Sequence, residues 1–189
     1  MVAPVVAFGA LGLIGFAYPQ LFGNGKDMAH DAFLGAAGLT LLLALFALKP
    51  LVTALCLGSG ASGGLFTPTL STGAVLGGAA GIVWSLAWPG SPPGAYALVG
   101  AAAMLGAAMQ APLAGLALIL ELTHGGFAIA IPMIAATVTA TAVARYIDGY
   151  SIYTARLRAH PRDPNAEADG AAADSGPAVA VPTQRRQIS

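Results

Sequence analysis

Between Lys49 and Glu121 the chain runs for 71 residues without one Asp, Glu, Lys or Arg. As helix, at about 1.5 Å per residue, that stretch would measure about 105 Å. The hydrocarbon core of a bilayer is only about 30 Å thick. The stretch must therefore cross or re-enter a membrane several times. Composition agrees: 57% of the 189 residues are hydrophobic and 8% are charged, where a soluble domain carries about 25% charged residues. A soluble globular domain is excluded. Lipid leaves no solvent partner for backbone groups, so the expected class is all-α and polytopic, with broken and half-crossing helices.

The formal net charge is zero, so no basic surface argues for nucleic acid. Cys56 is the single cysteine and reads as a small hydrophobe in an apolar run. No His/Cys/Asp/Glu spacing suggests a metal, and no cofactor motif stands out. Residues 1–18 lack a basic leader and a cleavage pattern, so they read as a helix and not as a signal peptide. A chain that opens in a hydrophobic helix suggests something upstream.

Local signals divide the rest. Val5 to Tyr18 reads as a helix ended by Pro19, followed by a polar loop with room for a short helix. Ala32 to Leu57 reads as one long apolar run in which Pro50 should kink or break the helix, and Lys49 should snorkel or pair nearby. The small-residue run GSGASGG covers 58–64. Thr67 then reads as an N-cap and Pro68 as the first residue of a helix over 68–88. Within it, Gly73, Gly77 and Gly81 form a small-residue face, and Trp84 and Trp88 suit an interfacial belt. After PGSPPG come two short helices, 95–110 and 112–122, of about 24 and 16 Å, then a spanning helix from Phe127 to Ile147 with Pro132 near its start. That makes about six membrane helices of unequal length. A short segment, 151–158, closes a membrane domain over 1–158. The tail, 159–189, holds seven charged residues and no aromatic, which predicts a disordered hydrophilic extension.

GSGASGGLFTP is the segment with chemistry in it. Glycines let backbone approach a ligand, and the residues before Pro68 present bare N–H groups at the positive end of a helix, an anion site. No GK[ST] ending follows and no lysine is near to meet phosphate charge, so a nucleotide loop is not expected. Amides without a full positive charge suit a small monovalent anion that must also leave. The competing reading is that the glycines only permit close helix contact.

Three stretches carry a family resemblance. GSGASGGLFTPTLSTGAVLGGAAG resembles the GxFxP region of the CLC family of chloride channels and proton/chloride antiporters. AAAMLGAAMQAPLAGLALILELTHGG and IPMIAATVTATAVARYIDGYSIYTARL are similar to the helices that follow it there. The likeness extends over about 1–158 and covers only the second of the family's two inverted halves. It implies that the amides of Leu65 and Phe66, after Gly64, coordinate chloride, and that the Tyr153 hydroxyl faces the ion from the inner side. It implies a homodimer meeting through the helices at 95–122 and 127–147, with chloride and protons as the transported ions. Tyr153 alone would read as an interfacial anchor.

The gating glutamate of a GxEGP-type segment has no counterpart, since no Glu-Gly-Pro occurs here. Cytoplasmic CBS modules are absent from the sequence too. Channel and antiporter therefore stay open, as do function alone, pairing with a separately encoded first half, and an inactive truncated remnant. Arg156, Arg158 and Arg162 follow the last helix, which predicts a cytoplasmic tail and a multi-pass protein of the cell membrane.

Four further residues have competing readings. Glu121, at the end of a short apolar helix, reads as a satisfied structural carboxylate. His30 lies in a solvated polar loop and His124 in a turn. Gly60-Ala61-Ser62-Gly63 matches the GxSG around the serine of rhomboid-type intramembrane proteases, with His124 as a distant base. Four residues of pattern are weak beside a likeness over most of the chain, and the expectation is a transporter, not an enzyme.

Overall fold

The computed structural model describes residues 2–59, 63–123, 127–147 and 149–154. Its compact unit is Met1–Tyr153. The tail at 159–189, the residues at 155–158 and the arginines at 156, 158 and 162 lie outside the described residues.

Seven α-helices follow one another among the described residues: α1 Val2–Ala17, α2 Lys26–Leu34, α3 Leu39–Gly58, α4 Phe66–Ala87, α5 Pro93–Met109, α6 Pro112–Thr123 and α7 Phe127–Ile147. A 3₁₀ turn, Pro19–Leu21, joins α1 to α2. Among the described residues three stretches are long and apolar enough to cross a membrane, α3, α4 and Ala128–Thr154, which takes in most of α7. Large apolar side chains such as Phe16, Leu51, Leu86 and Ile131 stand exposed. A helix apolar all round must find either protein or lipid on every side, as the helices of a membrane protein do. Trp84 and Trp88 are exposed at the end of α4, as an interfacial belt requires.

Two expected boundaries move. Ala32 to Leu57 is not one helix, because Gly35 closes α2 in the left-handed region at φ 65° and Gly38 enters α3 extended. The amides of Gly35 and Ala36 then bond back to Ala32 and Asp31, which satisfies the terminal carbonyls. Hydropathy continues across this break, so the apolar pattern hides it. Pro50, by contrast, does not break α3, which runs unbroken from Leu39 to Gly58; a single lost backbone bond is tolerated in a membrane helix when neighbours support it.

The second correction concerns α4. Thr67 is not its cap and Pro68 not its first residue. Leu65 already has helical angles (φ −88°, ψ −12°) with no side-chain cap, and Thr69 N–H closes the first turn on the Leu65 carbonyl at 3.1 Å. Pro68 falls at the third helical position, where an amide would lack an intrahelical acceptor anyway.

Helix α5 is central and touches α2, α4, α6 and α7. Its contact with α4 is made by glycine on both sides. A Cβ on Gly73 would meet Met104 Cβ at 2.5 Å and the Gly100 carbonyl at 2.6 Å, and one on Gly77 would meet the Tyr96 carbonyl and, at 3.0 Å, Gly100 Cα. Gly81 faces the Tyr96 ring. The expected small-residue face is therefore the α4–α5 seam. Between α5 and α6 the chain turns at Gln110, left-handed at φ 58°. Gly115 of α6 lies against Gly106 of α5, and Gly106 against Thr137 of α7.

Hydroxyl groups in these helices bond to their own helix. Thr53, Thr69, Thr72, Thr123, Thr137, Thr139 and Thr141 each donate to the carbonyl four residues back, at 2.6–2.8 Å. Ser59, Ser71 and Ser85 reach the third carbonyl back.

Candidate functional site

The chain enters α4 through Gly63, Gly64 and Leu65, and the first turn leaves a set of donors unused. Among the described residues, the amides of Leu65, Phe66 and Thr67 find no carbonyl, since the ladder starts with Thr69. Pro68 has no N–H to offer. Three donors thus point out of the positive end of a 22-residue helix. A Cβ on Gly63 or Gly64 would meet nothing within 4 Å. These two glycines do not serve close helix contact, which removes that reading for them and leaves open space at the amides.

That space is a cavity of about 120 Å³ lined by Lys49, Val52, Cys56, Gly63, Gly64 and Leu65, among others. It has room for a monatomic anion with water, since one water occupies about 30 Å³ of liquid. Gly64 and Leu65 are brought together as expected, while Phe66 leans its ring on the neighbouring core. Tyr153 is 46% exposed and is not part of this cavity lining. It follows Gly149, at which the chain leaves α7 in the left-handed region. The structure thus groups two of the four residues that the resemblance implies around one space.

Lys49 is the residue that sequence reasoning misplaced. The sequence reading puts no lysine near the amides and leaves Lys49 to snorkel or pair nearby. Instead its side chain is 2% exposed, and Nζ donates to the carbonyls of Leu21 at 3.1 Å and Gly23 at 3.0 Å. Helix α3 carries it into the lining of the same cavity as Gly64 and Leu65. The turn that grips it is fixed by Gly25, left-handed at φ 81°, where a Cβ would meet Ser71 Oγ at 2.5 Å and Lys49 Cε at 3.1 Å. Ser71 itself is fully buried and donates to the Pro68 carbonyl. The signal available in sequence was only the position of one charge inside an apolar run.

Glu121 is exposed in α6, and no partner for it occurs among the described residues, so the expected satisfied carboxylate is not observed. His30 is exposed, as expected. Ser62 and His124 lie outside the described residues. Among the described residues no three His, Cys, Asp or Glu side chains gather as a metal site would need.

Residues 1–145 match the family described as voltage gated chloride channel. The fold is similar to the X-ray structure of a slow cyanobacterial Cl⁻/H⁺ antiporter, with 30% identity and a TM-score of 0.65. That similarity covers 71% of this chain and 32% of the antiporter, so the chain spans about a third of the length of the protein it matches. Broken helices, a glycine entry to α4 and a match over most of the chain agree, and the chain belongs to the voltage gated chloride channel family.

Proposed function

We propose that this chain carries chloride across the cell membrane as part of a CLC-type channel or proton/chloride antiporter, and that it supplies the second-half share of the ion's coordination. The amides of Leu65 and Phe66, reached through Gly64, hold the ion, and Tyr153 faces it from the cytoplasmic side. Further coordination comes from first-half elements outside this sequence. Two copies pair through the faces of α5, α6 and α7 left outside the α4–α5 seam, with the tail in the cytoplasm. A proton-coupled cycle is supported by the matched antiporter, and the family's channel description supports the passive one.

The observation that carries this reading is the start of α4, where among the described residues the Leu65, Phe66 and Thr67 amides have no carbonyl partner and Gly63, Gly64 and Leu65 line a cavity. A dehydrated anion gains charge-assisted hydrogen bonds there, and the partial charges of amides hold it weakly enough to leave again.

Chloride efflux from liposomes tests it. The chain alone should pass little chloride, and co-reconstitution with the first half of a CLC subunit should restore anion-selective efflux. Leu65→Pro removes one amide at a residue whose φ of −88° is close to the −65 ± 15° proline prefers. It should lower efflux by about ten-fold, the loss of one hydrogen bond to a charged group. Efflux at the wild-type rate in Leu65→Pro, or robust efflux from the chain alone, contradicts the assignment.

A further inference from the structure

Lys49 stands at an unusual position for a cation. It lies within α3, one of the helices long enough to span, and its side chain is 98% buried, being 2% exposed. Buried charges are normally paired with an opposite charge, since desolvation of an isolated ion costs far more than packing returns. Among the described residues no carboxylate pairs with Lys49. Its two acceptors are neutral backbone carbonyls, those of Leu21 and Gly23. An ammonium has three protons, so one donor remains. Lys49 lines the same cavity as Gly64 and Leu65.

We propose that Lys49 is the fixed counter-charge of the anion site, the protein's own cation for the ion held at the Leu65 and Phe66 amides. This rests on the chloride reading of those amides and adds a residue to it. Amides alone offer partial charges, whereas a full positive charge across a small cavity is felt strongly where water is excluded. The two carbonyls moderate it: their negative ends lie on Nζ at 3.0 and 3.1 Å, which reduces the outward field without removing the net charge. A bare ammonium would trap a small anion, and neutral amides alone would bind it weakly. Lys49 held by two carbonyls lies between these limits, as rapid exchange of the ion demands.

The same contacts also hold the Leu21–Gly25 turn against α3 and α4, so a purely structural role has to be separated from a charge role. Lys49→Gln keeps a donor for a carbonyl and discards the charge. Lys49→Arg keeps the charge and offers more donors. Chloride binding to the purified full chain in detergent is read from excess ³⁵Cl NMR line broadening over a chloride titration, which detects weak, rapidly exchanging sites. Thermal melting of each variant reports the fold.

The expected result is a ten- to hundred-fold weaker chloride dissociation constant in Lys49→Gln, with a melting temperature close to wild type, on the scale of one charge at several ångströms in a medium of effective dielectric about 20. Lys49→Arg should stay within about three-fold of wild type, since it carries the same charge. Leu65→Pro serves as the arm for the amides. Loss of binding in Leu65→Pro with wild-type binding in Lys49→Gln would overturn the counter-charge role and leave the amide site standing. Wild-type binding in Leu65→Pro with loss in Lys49→Gln would keep Lys49 as an anion ligand and remove the amides. A Lys49→Gln variant that melts far lower is decided by Lys49→Arg: chloride affinity lost in a normally folded Lys49→Arg contradicts a charge role, and affinity retained there supports it.

Discussion

Gly77→Ala is the smallest change that tests how the helices are held together. A Cβ there would lie 3.0 Å from Gly100 Cα, 3.0 Å from the Tyr96 carbonyl carbon, and closer still to the Tyr96 oxygen. All three are backbone atoms of α5, so no rotamer can relieve the clash. To regain an ordinary contact near 3.4 Å or more, the Tyr96 oxygen above all requires α4 and α5 to part by about one ångström. A gap of that size forfeits about a quarter to a half of each dispersion contact across the seam, each of which is about 0.1–0.2 kcal/mol. Over some tens of atom pairs the loss is about 1–3 kcal/mol, the usual range for overpacking. In a chain of this size that lowers Tm by about 2–4 °C per kcal/mol. Melting in detergent can be followed with a thiol-reactive dye, because Cys56 is the only cysteine and is partly buried. Gly58→Ala is the control: nothing lies within 4 Å of a Cβ there, and as the last residue of α3 it should gain up to about 1 kcal/mol of helix propensity. The pair Gly77→Ala with Gly100→Ala should cost less than the sum, since one separation relieves both. Gly77→Ala melting with wild type, or falling no further than Gly58→Ala, would refute the seam as the source of stability.

Tyr153→Phe, with the first half supplied, should weaken chloride binding by about ten-fold or less, since water can replace the lost donor; unchanged affinity by titration calorimetry removes Tyr153 as a ligand. Gly25→Ala meets both a left-handed backbone and the buried Ser71 hydroxyl, so it should cost about 1–3 kcal/mol in thermal melting; a wild-type melt would show that the turn gripping Lys49 can move. Ser62→Ala should leave chloride transport intact because Ser62 precedes the proposed ligating amides; loss of cleavage of a membrane peptide in that variant would instead establish a serine protease.

What could be read from the chain follows from the range of each signal. The α7 helix, the start of α6 at Pro112 and the glycine face of α4 are set by neighbours a few residues away, and each was found where the pattern put it. The break at Gly35–Gly38 was hidden because hydropathy records what a residue is and not the sign of its φ. The start of α4 moved because Pro68 fits more than one early helical position. Lys49 was missed for a different reason. Its carbonyl partners, Leu21 and Gly23, lie 28 and 26 residues back, and no local pattern announces a contact that only the fold creates. Chemistry and likeness both point to the segment of Gly64, Leu65 and Phe66, whereas Tyr153 rests on likeness alone.

The hydroxyls that bond within their own helix bear on how such a chain is made. A threonine leaving the translocon with its proton already on the carbonyl four residues back carries little unsatisfied polarity into lipid. Each span can be inserted singly, in the order of synthesis, without waiting for a partner to quench it. Their later association then depends on surface shape, glycine against glycine, and not on a zipper of polar pairs. A newly made helix that met the wrong neighbour would hold it only weakly, so mistaken pairings would come apart before they could be trapped. Among the described residues two contacts depart from this: Lys49, whose carbonyl partners come from a different part of the chain, and Arg145 of α7, whose Nε donates to Gln110 Oε1 at 3.2 Å. The docking of α3 onto the Leu21–Gly25 turn and of α7 onto the α5–α6 turn are thus steps of assembly that a polar contact commits.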